Sequence, residues 1–568
     1  MSSPEANESD PLLHGSGDGR SDAQADKAAR NSRLRELGLF AWALIATAAV
    51  IVVAIWTQHE QQTKHDHNTP ASKRNLVFMV SDGMGPAPLS LTRSFRQHVE
   101  KLPFGDTLTL DKHFWGTSRT RSSSSLVTDS AAGATAFSCG KKTYNGAIST
   151  LPNRDPCGTV LEAAKRAGYH TGLVVTTKIE LIRTVQDATP ACFNSHVILR
   201  EMEDEIALQQ IGEGVLGRTV DLMLGGGRCN FLPNSTEGSC RADDTDVIKI
   251  AKEKHNWTYT DSRAGFDALK GGNNVKLPFL GLFAPTDIPF EIDRRNHNDV
   301  YPSLSEMAKT ALRALEKATE KSDKGFFIMI EGSRIDHAGH INDPAAQVHE
   351  VLEYDKTFQA VLDFIQESKT ETVLVATSDH ETGGLATAIQ EPGHLPVYNW
   401  YPKVLANATA SAEWLHAKLN AHLNSDSDIK KNKEKLKKYI NEELIIRGLG
   451  ISNASDKEIT TIADHPESAL VLFSALISLR AHVGWSTHGH TAVDVNIYSS
   501  GGPRTENIRG NIENTDIGKY LREYLEVDVD AITSELKEKM TKVNVQDVGM
   551  EGLDEVWSLG SKYHAIEV

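Results

Sequence analysis

Short apolar runs separated by longer stretches of helical spacing organise this chain. Runs at 76–80, 172–176, 221–224, 326–330, 373–376 and 493–498 are dominated by Val, Ile, Leu, Met and Phe. Their length and flanking turns read as buried strands. Between them, 158–168, 303–320 and 344–366 repeat apolar residues at three- and four-residue spacing, as helices with one buried face do. This alternation predicts an α/β protein with a large central, mostly parallel β-sheet flanked by helices on both faces. No internal repeat is visible. The pattern breaks between His380 and His488. There Ala410–Leu423 and the Lys-rich Ile429–Ile446 predict a helical insertion at about 391–483. The lysine run reads as a solvated helix face before a binding patch.

A different pattern opens the chain. Leu37–Trp56 carries no charge, which matches a bilayer core at about 1.5 Å rise per residue. The run is too long for a cleaved leader and lacks an Ala-x-Ala-like exit. Lys27, Arg30, Arg33 and Arg35 precede it, while Lys64 alone follows closely. Positive residues stay cytosolic, so 37–56 is expected to be a transmembrane signal anchor of type II. Residues 1–36 are expected to be a disordered cytosolic tail, poor in apolar residues. Residues 57–73 read as a polar stalk, 74–543 as one lumenal domain, and 544–568 as a C-terminal tail. Within the first tail, Glu8-Ser-Asp-Pro-Leu12-Leu13 resembles an acidic dileucine signal, which would make a cytosolic sorting adaptor a partner.

The chain has 568 residues, enough for several domains. The candidate site residues run from 82 to 488, which argues for one large domain instead. A net charge of −16 argues against nucleic acid as a partner. All five cysteines follow the anchor, in an oxidising compartment if the topology holds. Cys229 with Cys240 is the best pair, Cys139 with Cys157 the second, and Cys192 the thiol left over. Asn234, Asn256, Asn407 and Asn453 head Asn-x-Ser/Thr sequons beyond the anchor.

The candidate chemistry lies where the strands end. One apolar run ends in Asp82-Gly-Met-Gly, another in Glu331, and a third in Asp379-His380. Asp336 and His340 follow Glu331, four residues apart, so one helical turn can aim both at one ion. Carboxylates and imidazoles packed this densely suit divalent metal. Ligands of open α/β sheets collect beyond the carboxyl ends of strands. Asp129-Ser130-Ala131 begins a run of small residues that reads as a tightly packed helix. Ser130 would then lie near a helix N-terminus that favours an anion. It could be a nucleophile or the helix cap. Ser122–Ser125 compete with it by position.

Asp82, Asp129-Ser130-Ala131, the segment Asp187–Arg200, the Glu331–His340 block, Asp379-His380 and Thr487-His488-Gly489 resemble the alkaline phosphatase family in residue type and order. The fungal vacuolar, membrane-anchored members are the nearest likeness. The resemblance implies hydrolysis of phosphate monoesters with two zinc ions and one magnesium. It implies Asp336, His340 and His488 on the first zinc, and Asp379, His380 and Asp82 on the second. Asp82 also reaches toward the magnesium, with Thr189 and Glu331. Ser130 would be the nucleophile and Arg200 the phosphate clamp. Asp187 and His337 flank the magnesium and phosphate sites as a mixed pair. His490 reads as a rim residue. The insertion would cap the site entrance and the edge of a homodimer. A phosphodiesterase or sulfatase of the same superfamily is the alternative, and an inactive membrane-tethered binding protein a further one. The implied location is a vacuole membrane, with the catalytic domain lumenal.

Overall fold

The computed structural model describes residues 21–63, 73–178, 189–390, 393–425 and 432–547. They divide into two units, one up to Ser72 and one from Lys73. The first is a single helix, Ser21–Thr63. Its stretch Arg33–Ala54 is long and apolar enough to cross a membrane. The expectation of a disordered tail to residue 36 is corrected over 21–36, which are helical. So is the stalk over 57–63. Alanines 23, 25, 28 and 29 with Arg30, Arg33, Leu34 and Glu36 are good helix formers. Once the apolar segment is helical, each added residue gains a bond without a new nucleus. Glu8, Leu12 and Leu13 lie outside the described residues.

The second unit is built on a ten-stranded sheet. In chain order its strands are β1 (Arg74–Val80), β2 (Phe114–Arg119), β3 (His170–Lys178), β4 (Leu222–Gly226), β5 (Thr258–Thr260), β6 (Phe279–Leu282), β7 (Phe326–Glu331) and β8 (Glu371–Thr377). A separate ladder pairs β9 (Glu381–Thr382) with β10 (His490–Thr491), and β11 (Val495–Ser499) and β12 (Gly510–Glu513) complete the sheet. The spatial order is β12-β2-β11-β8-β1-β7-β3-β4-β6-β5. Only β11 runs antiparallel to its neighbours.

β1 shows why the apolar runs are continuous instead of alternating. Leu76, Phe78 and Val80 pack into the core on one face, while Val77 and Met79 pack into the core on the other. A parallel strand covered by helices on both sides has no solvent face to make polar. The helices Leu304–Thr319 and Pro344–Glu367 cover one side, and Val160–Arg166 and Asn514–Leu525 the other. The strands not foreseen are β2, β5, β6, β9, β10 and β12; most are short, and β5 and β12 lie at the sheet edges, while β6 is buried but only four residues long.

The insertion folds as expected into helices, including Ala412–Ser425 and Lys433–Tyr439, the latter continuing as a wider turn over Ile440–Leu449. Lys433 and Lys437 pair with Asp464 and Asp456, as a solvated face does. The C-terminal helix Val529–Asp547 runs past the expected start of the tail at 544. Cys139 pairs with Cys157 and Cys229 with Cys240, leaving Cys192 buried as a thiol that burial pushes up to about 12.

Glu350 makes the fold sensitive to pH. Its carboxyl is buried in the helix Pro344–Glu367 and accepts the Glu291 N–H at 2.6 Å. Burial pushes it up to about 8 against the nearby Arg334, and Glu291 and Glu353 add to the rise. A carboxyl with a raised folded pKa stabilises most below its unfolded value, and that stability is lost as pH rises through about 8. Melting temperatures of wild type and Glu350→Gln should therefore diverge between pH 5 and 9, the variant gaining relative to wild type. Parallel curves would mean that Glu350 is already ionised at low pH in the folded protein.

Candidate functional site

The parallel register delivers the carboxylates to one edge of the sheet. Val80 of β1 is level with Glu331 of β7 and with Thr377 of β8. Asp82 therefore emerges beside Glu331, and Asp379 and His380 emerge just beyond β8. Two close approaches complete the assembly. Gly83 has a φ of +76°, and a Cβ there would stand 2.5 Å from the Asp336 Cα. A Cβ on Gly133 would stand 2.9 Å from the Asp379 Cβ. The run of small residues after Ser130 thus lets its helix lie directly against Asp379.

Ser130 is the first residue of the helix Ser130–Cys139, and Asp129 is its cap, accepting the Ala132 N–H at 2.9 Å. The cap reading of Ser130 falls away. Its Oγ is fully buried and lies 3.1 Å from the His380 Nε2. Arg200, also buried, donates from Nη1 to the Asp129 Oδ2 at 3.0 Å, and the Gly146 N–H donates to the same oxygen at 2.7 Å. A guanidinium is thereby fixed beside a helix N-terminus that carries a buried hydroxyl. Ser122 and Ser124 instead bond elsewhere: the Ser122 Oγ meets the Ser125 carbonyl at 3.3 Å, and the Ser124 Oγ accepts the Asn145 N–H at 3.1 Å.

Two tight clusters of ligating atoms form here, Asp82 with Asp379 and His380, and Asp336 with His380 and His490. In each, the ligating atoms lie within 4.8 Å of one another. Asp82, Asp336, Asp379 and His380 are fully buried. His340 adjoins the second cluster, its Nε2 lying 3.2 Å from Asp336 Oδ2 and 3.0 Å from the His490 Nε2. The expected position of His488 is corrected: His490 occupies it. The β10 ladder pairs His490 with Thr382, and this stacks the His490 ring on His380 at 3.5 Å between centroids. His488 is exposed, and its Nδ1 meets the His340 carbonyl at 2.8 Å. Residues two apart in an extended strand share a face, so a sequence reading that takes this segment as extended does not separate the two histidines, although His488 lies in a bend before β10. The pairing of Glu381-Thr382 with His490-Thr491 separates them.

The ring tautomers follow from fixed acceptors. His490 Nδ1 faces the Thr128 carbonyl at 2.8 Å, and His340 Nδ1 faces the His488 carbonyl. A carbonyl can only accept, so both Nδ1 atoms carry hydrogen and both Nε2 lone pairs point into the cluster. In the neutral rings these lone pairs face each other at 3.0 Å, an arrangement that a shared proton or a bound cation relieves. Burial pushes His490 down to about 3, with His380 adding to the effect, which favours the neutral ring. Burial opposes ionisation of Asp336, yet His340, His490 and His380 hold it well below the usual carboxylate range. Burial also opposes charge on His380, but Asp379 and Asp336 hold its pKa above the ordinary value. Buried carboxylates facing imidazole lone pairs fit divalent metal, and the nitrogen and oxygen donors suit zinc.

Glu331 and Thr189 are fully buried but belong to neither cluster. The Ser333 hydroxyl donates to Glu331 Oε2 at 2.9 Å. Thr189 Oγ1 makes no hydrogen bond with any described residue. Asp187 lies outside the described residues. His337 is buried, and its Nδ1 accepts from the Arg334 Nε at 3.2 Å. Thr128, Thr382 and Arg334, which hold these rings, escaped the sequence reading because no motif marks them.

The alkaline phosphatase family model matches residues 73–527. The chain belongs to the alkaline phosphatase family. It is 50% identical over 513 residues to the repressible alkaline phosphatase of Saccharomyces cerevisiae, covering 87% of this chain and 88% of that one. It is 48% identical over 467 residues to an alkaline phosphatase of Schizosaccharomyces pombe, covering 82% and 83%. Among solved structures, the cold-active alkaline phosphatase of a Shewanella species is 29% identical with a TM-score of 0.64, over 79% of this chain and 99% of that one. The Thermus thermophilus alkaline phosphatase has a TM-score of 0.65 at 25% identity, over 83% of this chain and 96% of that one. The protein is a phosphatase.

The histidine exchange yields a direct test. Removing the ring in His490→Ala should strip divalent metal from the purified phosphatase. His488→Ala keeps the carbonyl that holds His340, so its metal content should stay near wild type. Elemental analysis after gel filtration distinguishes the two, and loss confined to His488→Ala would restore the original assignment.

Proposed function

We propose that this phosphatase hydrolyses phosphate monoesters through a phosphoserine on Ser130, with two zinc ions and one magnesium. The observation that carries this reading is the buried Ser130 Oγ at a helix N-terminus, 3.1 Å from His380 Nε2 and close to the Arg200–Asp129 pair. Asp82, Asp379 and His380 would hold one zinc, and Asp336, His340 and His490 the other. Asp82, Thr189 and Glu331 would hold the magnesium, an oxygen-only set of the kind that ion prefers. One mutant of the alkaline phosphatase from the Antarctic bacterium TAB5 is described with Mg bound in its M3 site, which is consistent with a third position. When bound, the zinc ions would lower the pKa of the serine hydroxyl and of water and offset charge on the leaving oxygen.

The residues of the chain do the rest. Arg200 offers a planar fork to two non-bridging phosphate oxygens. The Ser130 hydroxyl gives up its proton and its oxygen bonds to phosphorus as the bond from phosphorus to the alcohol oxygen breaks, and the alcohol leaves with a proton. Water then attacks phosphorus and releases inorganic phosphate, restoring the hydroxyl. Splitting one hydrolysis into two displacements lowers each barrier. The Asp129 carboxylate keeps Arg200 aimed through both steps.

We also place the phosphatase in a vacuole-like membrane as a type II protein with its catalytic domain lumenal. The apolar helix Arg33–Ala54 and the basic residues before it support this reading. We propose a homodimer as well, as the family resemblance implies.

Ser130→Ala should abolish labelled phosphoenzyme and lower turnover at least ~10²-fold, with metal content unchanged. Trapped label on a peptide holding Ser122–Ser125 would move the nucleophile upstream. For location, a Leu12→Ala, Leu13→Ala double variant should remain active but miss the vacuole on fractionation. Normal delivery would remove the dileucine from the account.

A further inference from the structure

Thr382 sits between the two clusters, and its hydroxyl is fully buried. It hydrogen-bonds Asp336 Oδ1 on one side. On the other it meets His380 Nδ1 at 3.2 Å. A hydroxyl has one hydrogen and a carboxylate has none to give. The hydroxyl hydrogen therefore goes to Asp336, and the Thr382 oxygen accepts the N–H of His380. In the neutral ring this fixes the hydrogen of His380 on Nδ1 and leaves its Nε2 lone pair inward. That Nε2 lies 3.1 Å from Ser130 Oγ, 3.1 Å from Asp379 Oδ2 and 3.6 Å from Asp82 Oδ1. His340 and His490 have their Nδ1 hydrogens held by backbone carbonyls, which no substitution removes. His380 alone of the three is held by a side chain.

The same residue is fixed from behind. Thr382 belongs to β9 and lies opposite His490 in the short ladder. Its backbone N–H donates to the Gly83 carbonyl at 3.2 Å. Its neighbour Glu381 accepts the N–H groups of Gly384 and Leu385, each at 3.2 Å, and the Thr491 hydroxyl. The hydroxyl thus stands on a braced strand, aimed at a ligand of each cluster.

We propose that Thr382 is the positioning residue that couples the two metal clusters, holding His380 in its Nε2-ligating tautomer and orienting Asp336 through one hydroxyl. This rests on the proposed metal-binding role of those residues. Outer partners of this kind typically change metal affinity by about 10–100-fold when removed. Valine keeps the β-branched shape of threonine and lacks only the hydrogen-bonding oxygen, so it tests the hydroxyl and not the packing.

The test uses the full-length chain in detergent, stripped of metal and titrated with zinc against a chromophoric chelator. Thr382→Val should weaken zinc binding about 10–100-fold, and the weakening should appear in both high-affinity equivalents because the hydroxyl touches both clusters. Thr382→Ser, which returns the hydroxyl, should recover affinity to within about threefold of wild type. Thr382→Ala repeats the loss should the valine variant not fold. Cobalt-substituted protein provides a second readout: the visible spectrum should change in Thr382→Val and return in Thr382→Ser. Unchanged zinc affinity in both hydroxyl-free variants overturns the proposal, as does loss in Thr382→Ser equal to that in Thr382→Val. A wild-type chain that takes up no zinc would overturn the metal reading itself. Wild type that binds zinc, with variants that bind it equally well, removes only the role of Thr382.

Discussion

The structure depends on one electrostatic constraint: carboxylates and imidazole lone pairs are buried together at the carboxyl edge of a parallel sheet. Asp82, Asp336 and Asp379 have no exposed surface, and His380 stands among them. Unpaired buried charge costs far more than a typical domain has in reserve. The chain places the compensating groups with little freedom. Gly83 and Gly133 allow backbone and helix to approach where any side chain would collide. Asp129 takes over the helix cap, which frees the Ser130 hydroxyl from that task. The Ser130 helix needs small residues because it lies against Asp379.

Closing the site requires chain segments far apart in sequence. Asp336 and His340 arrive on the helix Arg334–His340, while His490 arrives by pairing β10 with β9. The ladder is only two residues long, yet its brackets are numerous. The Gly383 N–H reaches the Gly489 carbonyl at 2.8 Å, and Glu381 receives two backbone N–H groups and the Thr491 hydroxyl. His488 has a part in this through its backbone, since its carbonyl receives the His340 Nδ1 hydrogen.

What was legible in the sequence was what strand ends and helix periods encode. The order of apolar runs identified the sheet interior, and Asp82, Glu331 and Asp379-His380 stood at the ends of β1, β7 and β8 because a parallel register aligns them. The disulfides and the leftover Cys192 were legible because short loops bring paired cysteines close. Failures arose where tertiary pairing decides. His490 lies in the two-residue strand β10 and is set by its pairing with β9, whereas His488 lies in the bend before that strand. Thr128, Thr382 and Arg334 act through hydrogen bonds that leave no periodic trace. Residues 21–36 were misjudged because low hydrophobicity suggested disorder, although their helix propensity was high.

The insertion that looked separable by composition is anchored to three different helical segments by three consecutive residues, the last of them holding the site helix. The Ser411 N–H donates to Asp293 Oδ1 at 3.0 Å, the Ala412 N–H donates to Asp343 Oδ2 at 2.8 Å, and Glu413 Oε2 accepts from Arg334 Nη2 at 2.7 Å. Asp343 is buried and also caps the helix Pro344–Glu367. Arg334 begins the helix that bears Asp336, His337 and His340, and its Nε donates to His337 Nδ1. The apolar packing is equally continuous: Ala338 and Phe95 share one cluster with Leu415, Leu444 and Phe473 of the insertion. A displacement of the insertion would therefore strain the segment that carries three site residues. The helical insertion and the helix Arg334–His340 form one continuously bonded and packed element, although nothing in their composition links them.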